Sequence, residues 1–237
     1  MDLDGIVSLV TGGTKGIGLA VAEQLGSAGS KVAICARSDS DVDREVAGLR
    51  GRGFEAWGMV CDVRDHAACT AFVEGAAAHF GRVDVLVNNA GVGAFAPIQD
   101  MSADDWHWQI ETNLNGVFYC SKAAIPHLMK NGGGWIINIA SLASRNAFSG
   151  GAAYNASKFG LLGMTEAMML DLRHDGIRCS IVMPGSVDTE FRGGDVQGDS
   201  WKLGADDVAR AVMDLLRYPG RAHPSRIELR PSRPPQR

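Results

Sequence analysis

Short apolar runs rich in β-branched residues alternate with stretches of helical periodicity along nearly the whole chain of 237 residues, and this alternation restricts the fold more than any other feature. Ile6 to Val10, Lys31 to Ala36, Glu55 to Val60, Val83 to Asn88, Trp135 to Ala140, Arg178 to Met183 and Arg226 to Leu229 read as strands. Between them, Gly18 to Ala28, His66 to Phe80, Ala103 to Met129, Ala153 to His174 and Ala205 to Tyr218 space their apolar residues as helices do. Strands alternating with helices imply a parallel sheet with right-handed crossovers and helices on both faces. The expected fold class is α/β, a Rossmann-type doubly wound sandwich around a seven-stranded parallel sheet. No linker or internal repeat divides the chain, so 1–237 reads as a single domain. Pro231, Pro234 and Pro235 cannot continue a ladder, which leaves 231–237 as a loose tail.

Composition narrows the function classes. Apolar residues at 46% and charged residues at 21% fit a packed domain rather than a disordered chain, and 30 glycines imply many tight turns. A net charge of −4 gives no electrostatic basis for a nucleic-acid partner, and the five arginines from Arg221 to Arg237 read as a solvated tail. The five cysteines, at 35, 61, 69, 120 and 179, include no C-x-x-C pair and read as small apolar fillers rather than disulfides or zinc ligands. The six histidines show no H-x-x-x-H spacing, so no metal is expected. The run from Ile6 to Val10 is too short for the apolar core of a signal peptide. No stretch approaches the ~20 apolar residues of a membrane span. A cytoplasmic protein without a membrane partner is the expectation.

In a sheet of this plan, ligands sit beyond the carboxyl ends of the strands, where strand order reverses. Directly after the first strand comes Thr11-Gly12-Gly13-Thr14-Lys15-Gly16-Ile17-Gly18, opening a helix. Glycines there permit positive φ and let backbone N–H groups and a helix N-terminus approach a pyrophosphate. The spacing is G-x-x-x-G-x-G rather than G-x-G-x-x-G, and by itself such a loop equally serves to pack a helix on a strand. The second strand ends Ile34-Cys35-Ala36-Arg37-Ser38, with no acid until Asp39, where a sheet that prefers NAD usually carries one for the ribose 2′-hydroxyl. Arg37 suits a 2′-phosphate, and Lys15 adds a second cation on the same side. Each alone is an ordinary surface cation. Together, in place of the acid, they point to NADP(H).

Three patterns follow later strands: Asn88-Asn89-Ala90-Gly91, Ser141, and Tyr154-Asn155-Ala156-Ser157-Lys158 at the start of a helix. Tyr154 and Lys158 are four apart and share a helical face, so the ammonium can lower the phenol pKa from its usual ~10 by favouring the phenolate. A lone Tyr-x-x-x-Lys is a commonplace helix pair. The ordered set is not: Thr11-Gly12-x-x-x-Gly16-x-Gly18, Asp62, Asn88-Asn89-Ala90-Gly91, Asn113, Ser141, Tyr154-x-x-x-Lys158 and Pro184-Gly185 with Thr189 resembles the short-chain dehydrogenase/reductase family over about residues 5 to 190.

The resemblance implies a role for each matching residue. Gly12, Gly16 and Gly18 would line the pyrophosphate, and Thr14, Lys15 and Ile17 of the same loop with Arg37 and Ser38 after the second strand would be further cofactor contacts. Asp62, with Val63, would meet the adenine; Asn89, with Ala90 and Gly91, would hold the central strand beside the adenosine ribose. Pro184, Gly185, Val187 and Thr189 would cover the nicotinamide. Ser141 would orient a substrate carbonyl, Tyr154 would give or take the proton, and Lys158 would grip the nicotinamide ribose while tuning the tyrosine. Asn113 would anchor a water extending a proton relay from Lys158. The implied activity is hydride transfer between NADP(H) and a ketone or secondary alcohol, with Tyr154 as general acid or base.

The chain departs from many relatives after Pro184-Gly185. Its expected substrate lid, 190–204, is short and glycine-rich, with Gly193, Gly194 and Gly198. Phe95, Phe148, Phe191 and Trp201 are candidate apolar members of the pocket. Phe118, Leu162, Met164, Met168 and Met169 put apolar surface on more than one helical face, from which a homodimer or, as in relatives, a homotetramer is expected. Two alternatives remain open: a reductase for 3-oxoacyl groups on a carrier protein, and a cofactor-sensing regulator that has lost its chemistry.

Overall fold

The structure is a computed structural model, and it describes residues 2–192, 198 and 201–235. Gly193 and Gly194 of the expected lid, and the last two residues of the tail, lie outside the described residues.

Seven strands form one wholly parallel sheet: β1 (Val7–Thr11), β2 (Lys31–Ala36), β3 (Ala56–Val60), β4 (Val85–Asn88), β5 (Gly134–Ile139), β6 (Ile177–Pro184) and β7 (Arg226–Leu229). Their order is β3-β2-β1-β4-β5-β6-β7, so strand order reverses between β1 and β4. Val10 pairs with Ile34 of β2 on one side and with Val87 of β4 on the other. The central strands are buried on both faces, and for that reason they read as continuous apolar runs rather than alternating ones.

Helices α1 (Gly16–Ser27), α2 (Asp39–Gly51) and α7 (Ala205–Arg217) cover one face, packing Val21, Leu25, Val46, Leu49, Val212 and Leu216 on the sheet. Helices α3 (His66–Phe80), α5 (Gly116–Lys130) and α6 (Ala152–Leu172) cover the other through Phe72, Val73, Leu128 and Leu161. The expected helix from Ala103 to Met129 is interrupted: α4 (Ala103–Ile110) passes through a π turn, Glu111–Asn115, before α5 begins. A π turn inserts a residue into the helical repeat and re-aims the side chains within it. Here it turns Thr112 and Asn113 inward, both buried. The five cysteines 35, 61, 69, 120 and 179 pack in the core of this second face as the apolar fillers expected of them.

The expected lid leaves β6 and returns under control of its ends. Val187 bridges Leu203, Asp188 N–H donates to Leu203 O at 2.9 Å, and Leu203 N–H donates to Ser186 O at 3.0 Å. Among the described residues no helix is long and apolar enough to cross a membrane.

Candidate active site

A cavity of about 570 Å³ opens at the carboxyl ends of β1, β4, β5 and β6, where the strand order reverses. On one side lies the loop from β1 into α1. Gly12 and Gly16 have φ of +63° and +53°, which side chains rarely adopt. A Cβ at Gly12 would stand 3.0 Å from Ala90 Cα, and one at Gly18 would collide with Gly12 O and Asn89 Nδ2. The loop is therefore held bare against β4. Asn89 fixes it there, donating from Nδ2 to Thr11 O and Gly12 O at 3.0 Å each, while Thr11 Oγ1 accepts from the N–H groups of Asn89 and Ala90. No side chain caps the N-terminus of α1, so its first-turn N–H groups face the cavity without an internal partner of that kind.

The loop's cationic side is built by Lys15 and Arg37, both exposed at the cavity rim. Lys15 Nζ stands 3.9 Å from Glu190, which follows the segment after β6. Asp62 lines the cavity just after β3 and is clamped by Arg64 at 2.6 Å, whose guanidinium holds the carboxyl below its ordinary range.

At the far end are Ser141, Tyr154 and Lys158. Ser141 follows β5 and starts a short 3₁₀ turn, its Oγ accepting from Ala143 N–H at 3.1 Å. Tyr154 and Lys158 lie in the first two turns of α6, with the Lys158 ammonium 5.7 Å from the centre of the phenol ring. Lys158 is 4% exposed, donates to Ile139 O at 3.2 Å, and is drawn down to about 8 by burial. Asn113, in the π turn, ties three parts together. Its Oδ1 accepts from Val92 N–H at 2.8 Å, and its Nδ2 donates to Val92 O at 2.9 Å and to Ser157 Oγ at 3.1 Å. Ser157 Oγ in turn donates to Tyr154 O at 2.8 Å. Both amide protons of Asn113 are thus spent on protein partners, and its side chain serves to hold the Gly91–Val92 segment against α6.

The cavity brings together Gly12, Thr14, Lys15, Gly16, Ile17, Arg37, Asp62, Val63, Asn89, Ala90, Gly91, Ser141, Tyr154, Lys158, Pro184, Gly185, Val187 and Thr189. Three expected residues stand outside its lining. Gly18 is a packing position, Asn113 is buried behind Val92, and Ser38 caps α2, accepting from Asp41 N–H at 3.3 Å. Of the four expected apolar members, Phe191 lines the cavity, Phe95 and Phe148 stand outside its lining, and Trp201 lies apart beside Lys202 and Pro231 in a separate cavity of about 460 Å³.

Sequence reasoning missed several lining residues. Gly93 continues the glycine run two residues past Gly91, and Trp108 and Thr112 are helical neighbours at i and i+4. A positioning residue outside the lining, Asn155, stands next to Tyr154 in the sequence. Its Nδ2 donates to Ala143 O at 2.7 Å and Asn146 O at 3.1 Å, and its Oδ1 accepts from Phe148 N–H at 3.3 Å. It pins the segment that carries Ser141 to the helix that carries Tyr154.

Comparison with known proteins agrees with this architecture. A family model described as short chain dehydrogenase matches residues 6–199. A Streptomyces virginiae protein, named as a ketoacyl reductase of the monensin polyketide synthase, is 45% identical over 77% of this chain and 71% of its own. The 3-oxoacyl-[acyl-carrier-protein] reductase of Salmonella typhimurium is 36% identical over 81% of this chain and 77% of its own. Among solved structures, a metagenomic short-chain oxidoreductase in complex with NADP superposes with a TM-score of 0.87 at 35% identity, covering 99% of this chain and 100% of that one. A variant actinorhodin polyketide ketoreductase with NADPH gives 0.86 at 32% identity and 95% coverage of each.

Proposed function

Because the chain belongs to the short-chain dehydrogenase/reductase family, we propose that it interconverts a ketone and a secondary alcohol with NADP(H), Tyr154 acting as general acid or base. The observation that carries this reading is the convergence of Ser141, Tyr154 and Lys158 at one end of a cavity whose other end is a bare glycine loop.

The residues fit a dinucleotide. The uncapped first turn of α1 offers N–H donors to a pyrophosphate, and the absence of a Cβ at Gly12 and Gly16 leaves the approach open. Arg37 and Lys15 supply positive charge for a 2′-phosphate, and solved relatives carrying NADP or NADPH support the same choice. The dinucleotide, when bound, supplies or accepts hydride at the carbonyl carbon.

The chain's own part is proton transfer and positioning. Ser141 and Tyr154 direct hydroxyl groups at the carbonyl oxygen and form an oxyanion site. In reduction the Tyr154 hydroxyl gives its proton to the nascent alkoxide. The buried Lys158 cation favours the phenolate that remains, and its Nζ would hold the nicotinamide ribose. Retention of Tyr154, Lys158, Ser141 and Asn113 in one connected site supports catalysis over cofactor sensing. A 3-oxoacyl thioester is the second reading for the substrate, supported by the ketoacyl and 3-oxoacyl reductases among the relatives.

We also propose a homodimer or homotetramer: Leu162, Met164, Met168 and Met169 pack partly buried against the core and do not supply the expected surface, but Phe118 on α5 and Phe159 and Leu170 on α6 stay between 45% and 56% exposed. The test of the catalytic reading is NADPH consumption with a panel of ketones and 3-oxoacyl thioesters. Turnover of a ketone with NADPH supports it, and inactivity across the panel despite NADPH binding counts against it.

A further inference from the structure

Three phenylalanines that are far apart in sequence converge on the catalytic tyrosine. Phe95 packs edge to face with Tyr154 at 5.5 Å between centroids and 65°, and Phe191 does so from another side at 5.9 Å and 63°. Phe148 lies 6.5 Å from the same ring and 5.7 Å from Phe95. The convergence is built in by small residues. A Cβ at Gly93 would stand 2.8 Å from Phe95 and 3.0 Å from Phe191, and one at Gly151 would stand 2.6 Å from Phe148. Asn155 holds the Phe148 backbone N–H.

These rings are not core. Phe95, Phe148 and Phe191 are 37%, 42% and 41% exposed, whereas the phenol they surround is 9% exposed. Phe191 lines the cavity itself, and Phe95 and Phe148 extend the aromatic surface beyond it from the same tyrosine. Glu190, the acid nearest in sequence to this wall, is directed to Lys15. A polyhydroxylated substrate would need polar side chains spaced along its length, whereas among the described residues three phenylalanine rings gather around the Tyr154 phenol, with the Lys158 ammonium 5.7 Å from its centre. Exposed rings arranged at tilted angles offer a fused or aryl ring both apolar burial and favourable edge and face contacts.

We propose that the substrate of this site is an aromatic ketone or alcohol, with its carbonyl at Ser141 and Tyr154 and its ring against Phe95, Phe148 and Phe191, which select it. This rests on the reductase reading, and the two are tested separately. The probes are 1-tetralone and 1-decalone, fused bicyclic ketones of similar size with and without an aromatic ring. Binding of each to the protein–NADP⁺ complex is measured by calorimetry, and reduction of each is measured with NADPH. The parent should bind 1-tetralone about tenfold more tightly, the order expected of one or two aromatic contacts beyond area burial. In Phe95→Leu and Phe148→Leu, made singly and together, that ratio should fall toward parity while the NADPH dissociation constant is unchanged. Equal or tighter binding of 1-decalone by the parent, binding of neither ketone, or an unaltered ratio in the double variant overturns the proposal. Preferential binding of 1-tetralone with reduction of neither ketone would sink the reductase reading and leave the aromatic site standing. Equal binding and equal reduction of both would do the reverse.

Discussion

Lys158 has to be charged to favour a phenolate beside it, yet the fold buries it almost completely and draws it down to about 8. In the reductive direction, kcat/KM should therefore decline as pH rises through about 8, since the cation that favours the departing phenolate is lost. In the oxidative direction activity should fall as pH falls, because a phenol cannot accept the alcohol's proton. Burial also fixes a stability signature. The folded state releases the Lys158 proton near 8, while the ordinary lysine value is 10.5, so across that window the unfolded chain binds more protons and stability rises with pH. Lys158→Met, without cofactor, should be more stable than the parent at pH 7, on the order of 3 kcal/mol at 1.36 kcal/mol per unit, less the bond to Ile139. That advantage should shrink as pH rises from about 8 toward 10.5, and denaturant titrations at both ends of the window would show it. Arg37 gives a second prediction at this scale. Arg37→Asp should turn a preference for NADPH into one for NADH, and equal kinetic efficiency with both cofactors in the parent contradicts the role given to it.

At the scale of elements, the join between α6 and the segment after β5 sets the distance from Ser141 to Tyr154. Asn155→Ala would strand the carbonyls of Ala143 and Asn146, at a cost of roughly 1–3 kcal/mol of stability. It should lower kcat while leaving NADPH affinity nearly unchanged, because the glycine loop is not touched; a matched loss of cofactor affinity would show that the segment does more. Strand positions and the two glycine-rich and Tyr-x-x-x-Lys segments were legible in the sequence because their signals are local: apolar runs, φ-permissive residues and an i, i+4 pair. Four features were not. Helix α2 buries only Val42, Val46 and Leu49 among polar neighbours, too thin a stripe to stand out. The π turn at Glu111–Asn115 changes the helical repeat without changing the apolar pattern. Ser38 sits where a cofactor contact was expected, outside the cavity lining, with its hydroxyl accepting from Asp41 N–H as the cap of α2. Trp201 was grouped with the three phenylalanines by chemical type, and only tertiary structure separates it from them.

For the whole molecule, a sheet covered on both faces leaves Phe118, Phe159, Met129 and Leu170 on the outside of α5 and α6. Association through those faces predicts a mass of two or four chains by light scattering at micromolar concentration, and a monomer there contradicts the proposed assembly. The sheet's other consequence is that the glycine loop and Tyr154 line different parts of one cavity at the strand-order reversal, so removing the Tyr154 hydroxyl should leave the proposed pyrophosphate contacts untouched. The most direct measurement is turnover and NADPH dissociation constant for Tyr154→Phe beside the parent, with a ketone the parent reduces. Turnover should fall by roughly 10²- to 10⁴-fold with NADPH affinity nearly intact. Parent-like turnover by Tyr154→Phe would show that the proton comes from elsewhere and would contradict the account at its central residue.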